Sequence, residues 1–180
     1  MTGPSVLACG LTTLDLVQLV DRVPGPDEKL VASGLLVSSG GPAANAAVTA
    51  TALGAPARLV SRVGSGSIGR LAAEDLAAHG VALIDLAGPG DSPAVSTVLV
   101  TASTGERAVV SVNATLTASG GGDPWHPHGA AAGGRLDEAL DGIGAVLVDG
   151  HHLDLALPLV AAARARGILV LLDGGSWKPG

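Results

Sequence analysis

The sequence contains no Phe, no Tyr and a single Met, so ring stacking cannot fill its interior and aliphatic side chains must do so. It has one cysteine, Cys9, which excludes an internal disulfide and any scaffold stapled by disulfides. Positive charge is scarce: 10 Lys and Arg face 16 Asp and Glu, for a formal net charge of -6. A basic surface able to neutralise a phosphate backbone is therefore excluded, and nucleic acid is not an expected partner. Despite a mean hydropathy of +0.48, no apolar run approaches the ~20 residues that span a bilayer. Stretches such as Ile168 to Leu172 have the length of buried strands, and no membrane partner is expected. The start MTGPSVLACG lacks a basic region followed by a long apolar run, which argues against a secretory signal and fits a cytoplasmic enzyme.

What is present is 47% hydrophobic residues in a chain of 180, enough for one sizeable core in one compact domain. The apolar run Ser5 to Cys9, closed by Gly10, suits a central strand of a parallel sheet. Cys9 has no basic neighbour there and reads as a small core residue rather than a nucleophile. Leu14 to Val20 and Lys29 to Val37, split by a Pro/Gly/Asp loop, read as a half-exposed antiparallel pair. Pro42 to Leu53 is Ala-rich, with Pro at its first turn and Gly54 beyond its last, and is predicted helical. Ala57 to Val63 and Val81 to Leu86 are predicted strands around a helix over Ile68 to His79, giving alternating strand and helix. Val95 to Ala102 and Arg107 to Asn113 then form a predicted hairpin across Ser103-Thr104-Gly105-Glu106. Ala114 to Gly134, rich in Gly and Ala and carrying Trp125, reads as a loop. A short helix near Leu136 to Leu140, a strand Ala145 to Asp149, a helix Leu153 to Arg166 and a strand Ile168 to Asp173 resume the alternation.

One constellation carries chemistry. Gly40-Gly41-Pro42-Ala43-Ala44-Asn45-Ala46-Ala47 is followed by Gly54 and Gly64. A glycine pair lets the backbone approach a bound molecule, and the helix after it points free N–H groups at that molecule's oxygens. Asn45, one turn into the helix, offers a donor and an acceptor to a pair of hydroxyls. This run resembles the N-terminal signature of the PfkB/ribokinase family. Asp15, five residues after Gly10, sits where that family holds an acidic residue against sugar hydroxyls. Asn113, leaving the second hairpin, and Asp149, in Val148-Asp149-Gly150, resemble further polar positions of the same pocket.

The resemblance covers about residues 5 to 180 and implies a ribokinase-like α/β fold, a parallel sheet flanked by helices with a small β lid. On this reading residues 1–180 are the N-terminal, sugar-binding part of a single domain, with lid segments near 14–37 and 95–113, and the C-terminal nucleotide-binding part is absent. The implied reaction moves the γ-phosphoryl of ATP to a hydroxyl of a sugar or nucleoside, with substrate contacts at Asp15, Gly40, Gly41, Asn45, Asn113 and Asp149. ATP with Mg2+ is the implied cofactor, a monovalent cation is admitted, and the lid suggests a homodimer contact. Two departures stand out. The loop Gly64-Ser65-Gly66-Ser67-Ile68-Gly69 lacks the acidic residues many members place after the first of these glycines. The family's Gly-Ala-Gly-Asp segment, which carries the catalytic base, occurs nowhere, so no catalytic residue is assigned and the isolated chain is expected to be inactive.

Other classes remain open at this point. Gly64-x-Gly66-x-x-Gly69 after a strand and before a helix, with Asp85 closing the next strand, imitates a dinucleotide fingerprint and would suit an NAD-binding enzyme. A degenerate, non-catalytic sugar-binding protein is the second alternative. His126, His128, His151 and His152 could suggest a metal, but four converging ligands are the ordinary requirement of a structural zinc, and no metal site is expected.

Overall fold

The computed structural model describes residues 5–112, 124–125 and 134–175. Its larger sheet has five parallel strands in the order β5-β4-β1-β8-β9. These are β1 (Ser5–Cys9), β4 (Ala57–Ser61), β5 (Val81–Asp85), β8 (Ile143–Val148) and β9 (Leu169–Leu172). Helices α1 (Pro42–Ala52), α2 (Ser67–Ala78), α3 (Gly134–Leu140) and α4 (Leu153–Ala165) flank it. Successive strand residues point to opposite faces, and the core divides accordingly. Ala8 and Leu59 pack with Ala43, Ala44 and Ala47 of α1 and Leu76 of α2. Leu7, Cys9, Val60, Val146 and Val148 pack on the other face with Leu155, Leu159 and Ala163 of α4 and with α3. β1 and β4, buried on both faces, read as continuous apolar runs. The expectation of a buried strand over Ile168 to Leu172 is corrected, because β9 is an edge strand of the sheet and Leu169, Leu171 and Leu172 are exposed.

The smaller sheet has four strands in the order β3-β2-β6-β7: β2 (Thr13–Val20), β3 (Gly34–Gly40), β6 (Ala94–Thr101) and β7 (Arg107–Ser111). Both expected antiparallel pairs, β2–β3 and β6–β7, are present. The sequence did not indicate that β2 and β6 pair in parallel from Thr13↔Ala94 to Val20↔Thr101, fusing the two pairs into one sheet. The expected strand Lys29 to Val37 is corrected: β3 begins at Gly34 and runs to Gly40. Pairing sets these limits, because Leu19 opposes Gly34 and Thr13 opposes Gly40, leaving Lys29 no partner strand. The sheet is fastened to the core by Leu14, packed on Val63 and Ala72, and by Ser39, whose N–H and hydroxyl donate to Asp75 of α2 at 2.7 and 2.6 Å.

Most of the expected loop 114–134 lies outside the described residues. Trp125 does not: it is 1% exposed, belongs to the α4-side core and donates its indole N–H to the Leu155 carbonyl at 3.1 Å. In a chain without Phe or Tyr this ring is the largest fully buried side chain among the described residues. Trp125→Ala is expected to destabilise the fold by about 3–5 kcal/mol. Trp125→Phe should cost less, chiefly the ~1 kcal/mol of the hydrogen bond. Urea unfolding followed by circular dichroism separates the two, and equal, small losses would show that the indole is not a core member.

Candidate functional site

Parallel strands place their carboxyl ends along one edge. Here β1 leads on towards the β4 side while β8 leads through α4 to β9, so the chain leaves β1 and β8 in opposite directions. A crevice forms at such a switch point, and ligands of open α/β sheets bind there. Gly10 and Leu11, after β1, meet Asp149, after β8, at this point. The Asp149 side chain is fully enclosed. Its Oδ2 accepts the N–H of Leu11 at 2.8 Å and of Ala43 at 3.0 Å. Its Oδ1 accepts the N–H of His151 at 2.9 Å, and the His151 Nδ1 lies 3.1 Å away.

Ala43 is the second residue of α1, whose N-cap, Gly41, has no side chain to offer. Asp149 therefore caps that helix from 106 residues away, placing a negative charge at its positive end. Two glycines make room for the arrangement. At Gly10 a Cβ would run into the Asp149 carboxylate. At Gly41, where φ is +96, a Cβ would strike the Leu11 carbonyl, so left-handed geometry and close backbone approach both demand glycine.

Asp15 is built differently. It stands in β2 beside Gly40, and a Cβ at Gly40 would lie 2.7 Å from both the Asp15 Cγ and the Thr13 Oγ1. Thr13 Oγ1 donates to Asp15 Oδ1 at 2.8 Å, while Oδ2 accepts no hydrogen bond among the described residues. One carboxylate at this junction is thus closed on backbone donors and the other is half open. Supporting contacts lie beneath. The Thr12 hydroxyl donates to Ser61 Oγ at 2.9 Å, which donates to the Gly10 carbonyl at 2.7 Å. Arg62, 5% exposed, pairs with Asp154 at the start of α4 and lies 3.9 Å from Asp91.

A model of the pfkB family carbohydrate kinases matches residues 4–119. The chain belongs to this family. Among solved structures, a ribokinase-like protein of Agrobacterium tumefaciens is 27% identical, with a TM-score of 0.74 over 96% of this chain and 53% of its own. The Arabidopsis thaliana ribokinase complexed with ribose and ATP is 22% identical, with a TM-score of 0.66 over 98% of this chain and 55% of its own. The Cryptococcus neoformans ribokinase in complex with ADP is 20% identical, with a TM-score of 0.64 over 99% of this chain and 52% of its own. The pfkB-family chain spans about half the length of these structures. The ribokinase-like α/β fold expected from the sequence is the one observed.

In this pfkB-family chain the structure brings Asp15, Gly40 and Gly41 together at the junction of the two sheets. Asn45 follows one turn into α1, exposed, its N–H bonded to the Gly41 carbonyl at 2.9 Å and its side-chain amide without a partner among the described residues. Asn113 lies outside the described residues. Asp149 stands at the same junction, its carboxylate accepting backbone N–H donors on both oxygens and so holding the glycine turn in place. The dinucleotide reading gains no support, because Asp85 is spent on the N–H groups of Val63, Gly64 and Ala87 at 2.9–3.0 Å. Gly69 is needed because α2 packs on the Val63 and Gly64 carbonyls. Among the described residues no three His, Cys, Asp or Glu side chains converge on a metal position; His126 and His128 lie outside them. Burial, with Asp149 and then Asp154 nearby, pushes the Cys9 thiol up to about 12, consistent with a core residue. Sequence reading passed over Thr13, Ser96 and Arg62. A hydroxyl recurring on one face of a β-branched run was the available signal for Ser96; nothing local distinguishes Arg62.

Asp149→Asn keeps the shape but turns an amide N–H2 towards N–H donors, and is expected to cost about 2 kcal/mol or more in urea unfolding; a neutral result would remove the cap. A second outcome concerns His152, the N-cap of α4, held at φ 51. Burial, then the Arg62 charge, lowers its imidazole below the ordinary 6.5. The unfolded chain takes up that proton first as pH drops, so this contribution to stability is complete above 6.5 and is lost on acidification below it. His152→Asn, which tolerates the left-handed backbone, should flatten the slope of stability against pH below 6.5; an unchanged slope would place the effect elsewhere.

Proposed function

We propose that this chain supplies the sugar-acceptor site of a carbohydrate kinase, in which the γ-phosphoryl of ATP passes to a hydroxyl of a sugar or nucleoside. The observation that carries the reading is Asp15: a carboxylate oxygen left open beside the Gly40-Gly41 junction, next to the N-terminus of α1. Asp15 would accept from substrate hydroxyls, Gly40 and Gly41 would allow close approach, and Asn45 would add a donor and an acceptor. Asn113 is retained as a further contact and Asp149 as the residue that positions the junction. The smaller sheet would act as a lid that excludes water from phosphoryl transfer.

ATP and Mg2+ fit no residues described here. The sequence holds no Gly-Ala-Gly-Asp segment, and no three carboxylates or imidazoles converge among the described residues. No catalytic base is therefore assigned, and no chemical step is derived through ATP. Exposed apolar residues on the smaller sheet, among them Leu35, Leu36, Val109 and Val110, favour a second copy of the chain as the partner of the lid. We place the protein in the cytoplasm. Among the described residues no helix is long and apolar enough to cross a membrane.

Asp15→Ala tests the reading. Each charge-assisted hydrogen bond removed is worth ~1.5–3 kcal/mol, so affinity for D-ribose, D-fructose or adenosine, whichever binds, should fall at least about tenfold by calorimetry while circular dichroism is unchanged. Wild-type affinity in the variant would take Asp15 out of the site.

A further inference from the structure

The register of the smaller sheet lines up one polar row. Ser38 of β3, Asp15 of β2, Ser96 of β6 and Ser111 of β7 are mutual partners across the four strands. Paired residues on neighbouring strands share a face, and at ~4.8 Å between strands the row is about 14 Å long. Ser96 Oγ and Ser111 Oγ are 3.2 Å apart, and Thr13, on the same face two residues before Asp15, already bonds it. The next row, Leu36, Val17, Val98 and Val109, is wholly apolar. The row thus offers hydroxyls, each both donor and acceptor, and one carboxylate that only accepts.

A molecule with several hydroxyl groups satisfies that set, since it can donate to Asp15 and exchange hydrogen bonds with the serines. A phosphate suits it less, because it can accept from the serines but cannot donate to Asp15, and it brings negative charge to a row whose only charge is negative. Among the described residues, the cations of the smaller sheet and of the junction beneath it are held away from this row. Arg62 is buried against Asp154 and Asp91. Arg107 shares the face but pairs with Val100, four residues along from the Ser96 row, or about 13 Å. Arg22 and Lys29 lie in the segment joining the far ends of β2 and β3, with Arg22 paired to Glu28. Residues 113–133 contain no Lys or Arg at all.

We propose that the acceptor is a neutral polyhydroxylated molecule, an unphosphorylated sugar or nucleoside, selected by Ser96 and Ser111 acting with Asp15, and that sugar phosphates are rejected. This rests on the acceptor-site reading above and narrows it. Specificity then comes from repulsion as well as attraction.

Calorimetry on the full chain with D-ribose, D-fructose and adenosine, each against ribose 5-phosphate and fructose 6-phosphate, decides the matter. A neutral compound should bind at least about tenfold more tightly than the phosphorylated ones, a difference of ~1.4 kcal/mol. Ser96→Ala and the exposed Ser111→Ala should each weaken it several-fold, and Ser111→Arg should narrow the gap by strengthening sugar-phosphate binding. Equal or tighter binding of a phosphorylated sugar overturns the proposal and leaves the acceptor site standing. Wild-type affinity in both alanine variants removes the serine row from recognition. Binding of no compound of either kind overturns this proposal and the acceptor-site reading together.

Discussion

Asp149 is a carboxylate shut away from water, and a buried charge persists only where its oxygens are hydrogen-bonded. The donors it uses come from three separate places: Leu11 after β1, Ala43 at the start of α1 and His151 in its own turn. One side chain thereby fixes where the chain leaves the larger sheet for the smaller one and where it returns. The constraint spreads outward. Gly10 must lack a side chain because the carboxylate occupies its place, Gly41 must be left-handed to bring α1 under Leu11, and Pro42 can open the helix because its missing N–H is one the helix would not use.

With the junction fixed, the two acidic residues near it divide the work. Asp149 is hydrogen-bonded to backbone on both oxygens. Asp15, held by Thr13 and crowded against Gly40, keeps one oxygen without a hydrogen bond among the described residues. A site that must bind a ligand reproducibly needs both kinds of group, since an open carboxylate on a mobile backbone would not hold its geometry. Arg62 serves the same end from below, joining the end of β4 to the start of α4 through Asp154. Ser39 with Asp75 fastens the smaller sheet to α2.

The composition also shapes the packing. With no Phe or Tyr to fill space, the layers must come close. Ala43, Ala44 and Ala47 give α1 a flat buried face on Ala8 and Leu59. On the opposite face Trp125 supplies bulk against Leu155 and Leu159. The cost of interior voids makes such matching necessary.

The alternation of apolar strands and Ala- or Leu-rich helices was legible from β1 to β9, because the strands are apolar runs and glycines mark the helix ends, although at β9 that apolar run is exposed rather than buried. The glycine pair, Asp15 and Asn45 were legible because they are local: turn chemistry and a helix start lie within a few residues of one another. Three things needed the folded chain. The limits of β3 depend on which residues of β2 it faces, since pairing rather than propensity ends a strand. The parallel union of β2 with β6, and with it the row Ser38, Asp15, Ser96 and Ser111, depends on contacts between residues some 80 positions apart. The task of Asp149 depends on which donors surround it. A carboxylate after a strand looks the same in sequence whether water, a sugar or two distant backbone N–H groups will meet it, and only the tertiary structure brings Leu11 and Ala43 there.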